Sequence, residues 1–442
     1  MLIHASNCWS RSGPSIMLAV AALFSVGCET SDESDNAPIP AIDMSMVIDS
    51  GSQNLDAGLA SDADGTDAAG GGDSETVVEV SRETLLRSIS ENVFRVTYAQ
   101  FAEKSATLST AINAWQSDLS NETHEAAKAA WTEANAIWQH LELMQVGPAG
   151  IAGRRVGGQD LREAIYSYPV SNPCRVDQEV EAQRYTADGW ADRAQYNVRG
   201  LDAIEYLLFW TETVNQCPDS ISLNRQGRWD RLVEMGTEEL QSRRAALASA
   251  LATSLQGSAD ALAAAWAADN ALADAFVAGT EPFEDAKQSL DEVYAGLFYL
   301  DKFVKDLKLG KPAGITPDCE AESCPDAVES KFADVSKENL INNLLGLKLV
   351  LLGGDDESFV GFDDLLVAEG AGELASTMMT KLQAAIEALN AIEGSLADAI
   401  RQNLGQVTAA YDAVKSFNDD FKTEFVTVLN LSVPQEGAGD ND

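Results

Sequence analysis

A chain of 442 residues with 30 Lys and Arg against 70 Asp and Glu carries a formal net charge of -40. Phosphate backbones repel such a chain, and so do anionic membrane surfaces that are recognised through basic patches, which excludes nucleic acid as a partner. The length suffices for one large domain or two, and an acidic surface suits soluble, extracytoplasmic life.

The first segment predicts export. Residues 16–27 read IMLAVAALFSVG, too short to span a bilayer and about right for the apolar core of a signal peptide. Cys28 follows Ser25, Val26 and Gly27, which resembles a bacterial lipoprotein cleavage box, with Ser25 where leucine is usual. Residues 1–27 are expected to be removed as a signal peptide and Cys28 to be lipidated. The lipid would anchor the protein to a membrane of the cell envelope, as an outer-membrane or periplasmic lipoprotein. Residues 28–78 then form an acidic, disordered tether. Between 29 and 75 there are twelve Asp or Glu and no Lys or Arg, and such a stretch buries too little apolar surface to offset the entropy of ordering.

From about residue 80 the pattern turns helical, with no run of period-two alternation that would predict a strand. Trp131 and Trp138 lie seven apart in AKAAWTEANAIWQHLEL and therefore share a helix face pointing to a core. Residues 147–186 are irregular and rich in Gly, Pro and Ser. The helix RGLDAIEYLLFW follows, with Asp202 and Glu205 three residues apart and so on one face. Thr280 and Pro282 predict a helix start after Gly279, and Gly310, Pro312 and Gly314 predict its end. The irregular stretch 310–328 is the expected boundary between an N-terminal helical bundle (79–315) and a C-terminal one (316–434). In the latter Leu374, Met378, Leu382, Ile386, Leu389 and Ile392 form an apolar stripe. The expected fold is all-α, with about eight to ten helices in two packed bundles. An aromatic-rich helix running into a Gly-Pro turn at Gly147-Pro148, and again near Pro312, predicts an internal duplication.

The chain has six cysteines. Cys8 lies in the leader and Cys28 at the lipidation site. Cys174, Cys217, Cys319 and Cys324 remain, an even number that predicts disulfides in an exported chain. Pairing neighbours gives Cys174–Cys217, which staples the two ends of the carboxylate helix, and Cys319–Cys324. Chain entropy assigns them about 4 and about 2 kcal/mol. The spacing of CEAESC argues against a zinc site.

Two inward carboxylates on one helix are costly unless a metal, an arginine or a proton compensates them. Asp202 and Glu205, with Glu142, offer hard oxygen ligands suited to iron or calcium. His140, Arg162 and Arg199 are the candidate neighbours. The alternative is a buried polar network of the two acids with Arg162 or Arg199 that binds nothing. Zinc proteolysis fits less well, because the chain after the leader keeps only His124 and His140, outside any HExxH pattern.

The motif GLDAIE resembles the GxHxxE motif of the imelysin-like family, with Asp202 in the histidine position. Further similarities run in the family's order over nearly all of residues 80–432. They are WTEANAIWQHLELMQVGPAG, YSYPVSNPCRVDQ, LFYLDKFVKDLKLGKPAGI, and SKENLINNLLGLKLVLLGG with GFDDLL. The resemblance implies a two-bundle α-helical fold in the bacterial cell envelope, with a site around the GxHxxE helix. It also implies a range of activities, from metallopeptidase to iron-regulated lipoprotein. The function expected is therefore an envelope lipoprotein that binds a metal ion or small ligand and works with components of iron uptake. A metallopeptidase or a non-catalytic structural lipoprotein is the alternative.

Overall fold

The computed structural model describes residues 79–434. The expected signal peptide, Cys28 and the tether 28–78 lie outside them. Every regular element among the described residues is helical and none is a strand, as the absence of period-two alternation requires. The described residues belong to one compact unit.

The first bundle is built on α1 (Arg95–Ser117) and α2 (Asn121–Leu141). Ser120 starts α2 by accepting the Thr123 N–H, which satisfies one of the free donors of its first turn. Trp131 and Trp138 are buried as their spacing predicts. Next come α3 (Pro173–Ala182), capped by Asn172, and α4 (Gly200–Phe209), the carboxylate helix. Helix α4 packs against α2 and against α5 (Thr237–Ala265), which also lies along α1. The many Ala and Ser residues of α5 keep its surface low and let the neighbouring helices come close.

The next helix, α6 (Ala286–Leu297), begins later than Thr280 and Pro282 predict. Gly279 closes the preceding helix in a left-handed conformation, and Asp285 accepts the Gln288 N–H as the actual cap. Leu300–Gly310 follows as a π-helix, a rare winding that is frequent at functional sites. It packs on α7 (Ser336–Leu352) and α9 (Leu404–Asp420), while α8 (Gly372–Asn390) lies against both α7 and α9. The stripe of α8 is buried at Met378, Leu382, Ile386 and Leu389, with Ile392 buried just beyond the helix.

Helix α2 packs on α7 and joins the two groups of helices. The closest approach is at Gly346, where an added Cβ would stand 2.1 Å from the carbonyl oxygen of His140. Only a residue without a side chain permits that distance.

Both expected disulfides are formed, Cys174–Cys217 and Cys319–Cys324. The first does not staple the two ends of the carboxylate helix as expected, because residues 173–182 form a helix of their own. Cys174 sits in the first turn of α3, so the bond ties α3 to the loop that follows α4. Short helices at Trp190–Arg193 and Tyr196–Val198 occupy part of the intervening chain. The helices are also shorter and more numerous than periodicity predicts, because glycine and proline break the stretches between the long ones. No helix among the described residues is long and apolar enough to cross a membrane.

Candidate functional site

The motif helix α4 starts at Gly200, whose φ of 82° lies in the left-handed region. A Cβ there would meet the Ile165 carbonyl oxygen at 2.4 Å. Glycine thus lets the helix start directly against the segment 164–167. The consequence is seen one turn later: the Ser167 N–H donates to Asp202 Oδ2 over 2.6 Å. Glu205 Oε1 accepts from two consecutive main-chain groups, the N–H of Phe332 and of Ala333, each at 3.0 Å. The two acids of the motif therefore hold two separate stretches of irregular backbone.

Neither acid has a hydrogen bond or ion pair with arginine. Arg162 is engaged elsewhere, and Arg199 donates to the carbonyls of Ala191 and Asp192 and lies over the Tyr196 ring. Burial pushes Asp202 up to about 7, offset in part by the Ser167 N–H, with the charge of Glu329 adding to the rise. Burial likewise pushes Glu205 up to about 8 against the two N–H groups, and the negative charge of Asp202 raises it further. No cation pairs with either acid; main-chain N–H groups face them, and burial favours their neutral form.

Glu142, at the end of α2, is treated differently. Its Oε1 accepts from Arg162 Nη2 (3.0 Å) and from the Tyr299 hydroxyl. Its Oε2 accepts from Lys308 and from Asn343 Nδ2 (3.2 Å). Lys308 comes from the π-helix, is fully buried, and also donates to Gln139 Oε1 (2.8 Å) and Asn343 Oδ1 (2.9 Å). A second buried carboxylate, Glu329, stands 2.7 Å from the same ammonium and accepts from the Tyr166 hydroxyl at 2.6 Å. Burial alone would raise Glu142, but Lys308 and Arg162 beside it hold it below the usual carboxylate range. Glu329 goes the other way: its burial and the charge of Glu142 outweigh Lys308. Two carboxylates sharing one ammonium separate in this manner.

His140 is buried beside this network, at the crossing of α2 and α7. Neither ring nitrogen closes a hydrogen bond of good geometry, although Asn342 lies nearby. Burial pushes the imidazole down to about 4.

The structure thus brings Glu142 and Arg162 together, keeps Asp202 and Glu205 on α4 with main-chain partners, and leaves Arg199 on the carbonyls of a separate turn. Among the described residues no three His, Cys, Asp or Glu side chains are grouped as a shared metal ion would need. The donor set explains this. Glu142 has both oxygens engaged, and Asp202 and Glu205 each have one oxygen on main-chain N–H groups. The remainder falls well short of the six to eight oxygens of a calcium cage.

Lys308 and Glu329 are the residues that sequence reasoning missed. Lys302, Lys305 and Lys308 recur every third residue in LDKFVKDLKLG, a spacing that gives no reason to bury the last of them. Glu329 follows the irregular disulfide loop and carries no local signal.

A two-bundle all-α protein with an acidic centre on a GxDxxE helix defines a narrow class. A peptidase-class family model described as Imelysin matches residues 95–420, most of the chain, and the chain belongs to the imelysin family. Two solved structures share the fold. One is described as an iron-regulated protein A precursor from Parabacteroides distasonis; it is 17% identical, with a TM-score of 0.59 over 79% of this chain and 94% of that one. The other is an imelysin-like protein from Psychrobacter arcticum, also 17% identical, with a TM-score of 0.60 over 80% of this chain and 98% of that one. Among curated proteins none matches the sequence.

Proposed function

We propose that this protein is an exported lipoprotein of the bacterial cell envelope, anchored through Cys28, that binds a small ligand in the service of iron acquisition and does not cleave peptides. The observation that carries this reading is the state of the motif carboxylates. Asp202 and Glu205 face main-chain N–H groups, and Glu142 is held by Arg162 and Lys308. A metallopeptidase needs a carboxylate base beside an open metal position with nitrogen or carboxylate ligands. Here the motif histidine is Asp202, and His140 is buried against α7. The iron connection rests on family membership and on the iron-regulated description of a protein with the same fold. The acidic surface and the tether would hold the folded part away from an anionic membrane.

Two measurements test this. A deletion strain should grow like its parent in iron-rich medium and more slowly under iron limitation. The full chain, incubated with zinc, manganese or iron, should leave unfolded casein intact. Chelator-sensitive cleavage that disappears in Glu205→Gln would replace the binding reading with the peptidase one.

A further inference from the structure

Cations are scarce in this chain, yet three of them wall one small cavity. Arg155, Arg162 and Lys302 line a space of about 100 Å³ together with Tyr299 and Phe303, and Glu163 is the one carboxylate on its wall. Three cations and one acid share this wall, in a protein where acids outnumber bases 70 to 30. A larger cleft of about 530 Å³ elsewhere contains none of the motif residues or their partners and has two acids, Asp188 and Asp192, on its wall.

Arg162 is built into the cavity wall. It is buried, lies 5.0 Å from the Tyr299 ring centroid and 5.8 Å from that of Phe303, and those two rings are stacked in parallel. Its Nη groups donate to Glu163, Glu142, Tyr299 and the Tyr168 carbonyl. Its Nε is buried with no partner at all. Arg155 donates to the Ala295 carbonyl and stands near Glu292, and Lys302 has interactions of its own, so both form a partly exposed charged rim. Gly296 also lines it: a Cβ there would stand 2.9 Å from the Leu143 carbonyl oxygen and 3.0 Å from the Gln145 nitrogen, so glycine seats α6 directly on residues 143–145.

We infer that this cavity is the ligand site of the binding protein proposed above, and that its ligand is a small oxyanion, in the first place a carboxylate. Guanidinium groups match carboxylate geometry, and flanking aromatic faces hold the guanidinium in place. The size admits several waters or a small organic anion. The inference rests on the binding reading but names a ligand of opposite charge to the cation that GxDxxE first evokes. Arg162 also links the two places, because the same guanidinium that faces the cavity holds Glu142. An anion there would compete with Glu142 and Glu163 for it.

Calorimetry of the full chain with malonate, and separately with inorganic phosphate, tests this. Saturable one-to-one heat with malonate is expected, weakened at least about tenfold in Arg155→Ala with Lys302→Ala. Thermal unfolding of that variant should stay close to the wild type, since both side chains are only half-buried. Should it unfold, Lys302→Gln alone should weaken binding about threefold. Saturation by phosphate and not by malonate would keep the oxyanion site and reassign its ligand. No saturable heat with either probe, or equal affinity in wild type and variants, would overturn the inference. The two proposals fail separately: silent calorimetry with an iron-limited growth defect removes only the anion site, whereas malonate binding without a growth defect removes only the iron connection.

Discussion

Two pairs of buried carboxylates sit in one core and are kept there by opposite means. Glu142 and Glu329 share the ammonium of Lys308, with Arg162 on the far side of Glu142. Asp202 and Glu205 have no cation of their own, only main-chain N–H groups. Of the four, only Glu142 is held below the usual carboxylate range, while burial raises Glu329, Asp202 and Glu205. Glu142 has a cation on each side, Glu329 only the ammonium it shares, and the motif acids none, so the cations within reach set the order.

The contrast can be broken most severely at Lys308. Lys308→Met leaves Glu142 and Glu329 buried with Arg162 as their nearest compensation, and removing one partner of a buried ion pair costs about 3 to 5 kcal/mol. Urea unfolding at neutral pH should show that loss, and adding Glu329→Gln should recover part of it. An unchanged midpoint in Lys308→Met would mean that the ionic core contributes nothing.

The pair faced by main-chain N–H groups gives the next effect. Glu205 titrates at about 8 when folded, against 4.5 for the free residue, so the folded chain binds more protons between those values. Stability is then full at low pH and falls as pH rises from about 4.5 to about 8. Glu205→Gln should remove that decline, so that at pH 8.5 the variant exceeds the wild type by roughly 4 kcal/mol while the two are alike at pH 5. Asp202→Asn should act the same way up to about pH 7. Parallel pH curves for wild type and variants would show that these acids are ionised in the fold.

Smaller still is the loop disulfide. Cys319→Ser with Cys324→Ser should cost about 2 kcal/mol, against about 4 for the Cys174–Cys217 pair, as measured by thermal unfolding. The smallest effect at neutral pH belongs to His140, which sharpens the comparison from the acid side. Its folded value of about 4 lies below the free 6.5, so its neutral burial disfavours the fold progressively as pH drops from 6.5 to 4. His140→Phe should lose that acid sensitivity at a cost of about 1 kcal/mol at neutral pH, read from the same pH series.

Much of this was legible in the chain itself. The all-α class, the inward Trp131 and Trp138, both disulfide pairings and the carboxylate helix follow from local composition and spacing. The helix start at Asp285 was displaced toward Thr280 because Pro282 reads as a first-turn signal, while the left-handed Gly279 and the Asp285 cap depend on backbone geometry. Of the ionic core, Glu142 and Arg162 were legible as candidates, whereas Lys308 and Glu329 were not. Lys308 meets Gln139 across 169 residues and Glu142 across 166, and no local pattern reports a partner that distant. For the same reason Asp202 and Glu205 were readable as costly, whereas the identity of what compensates them was not. The Phe332 and Ala333 N–H groups arrive from 127 and 128 residues away.

Gly346 carries a consequence of a different kind. With the His140 carbonyl 2.1 Å from where a Cβ would be, a single hydrogen atom sets the spacing between α2 and α7. That position is a built-in gauge: alanine, serine and valine placed there would prise the two helices apart in graded steps. Glu142 and Asn343 lie on either side of the same seam, so each step would widen the gap that Lys308 has to bridge. A residue that does no chemistry thus fixes how far apart the charges of the core stand.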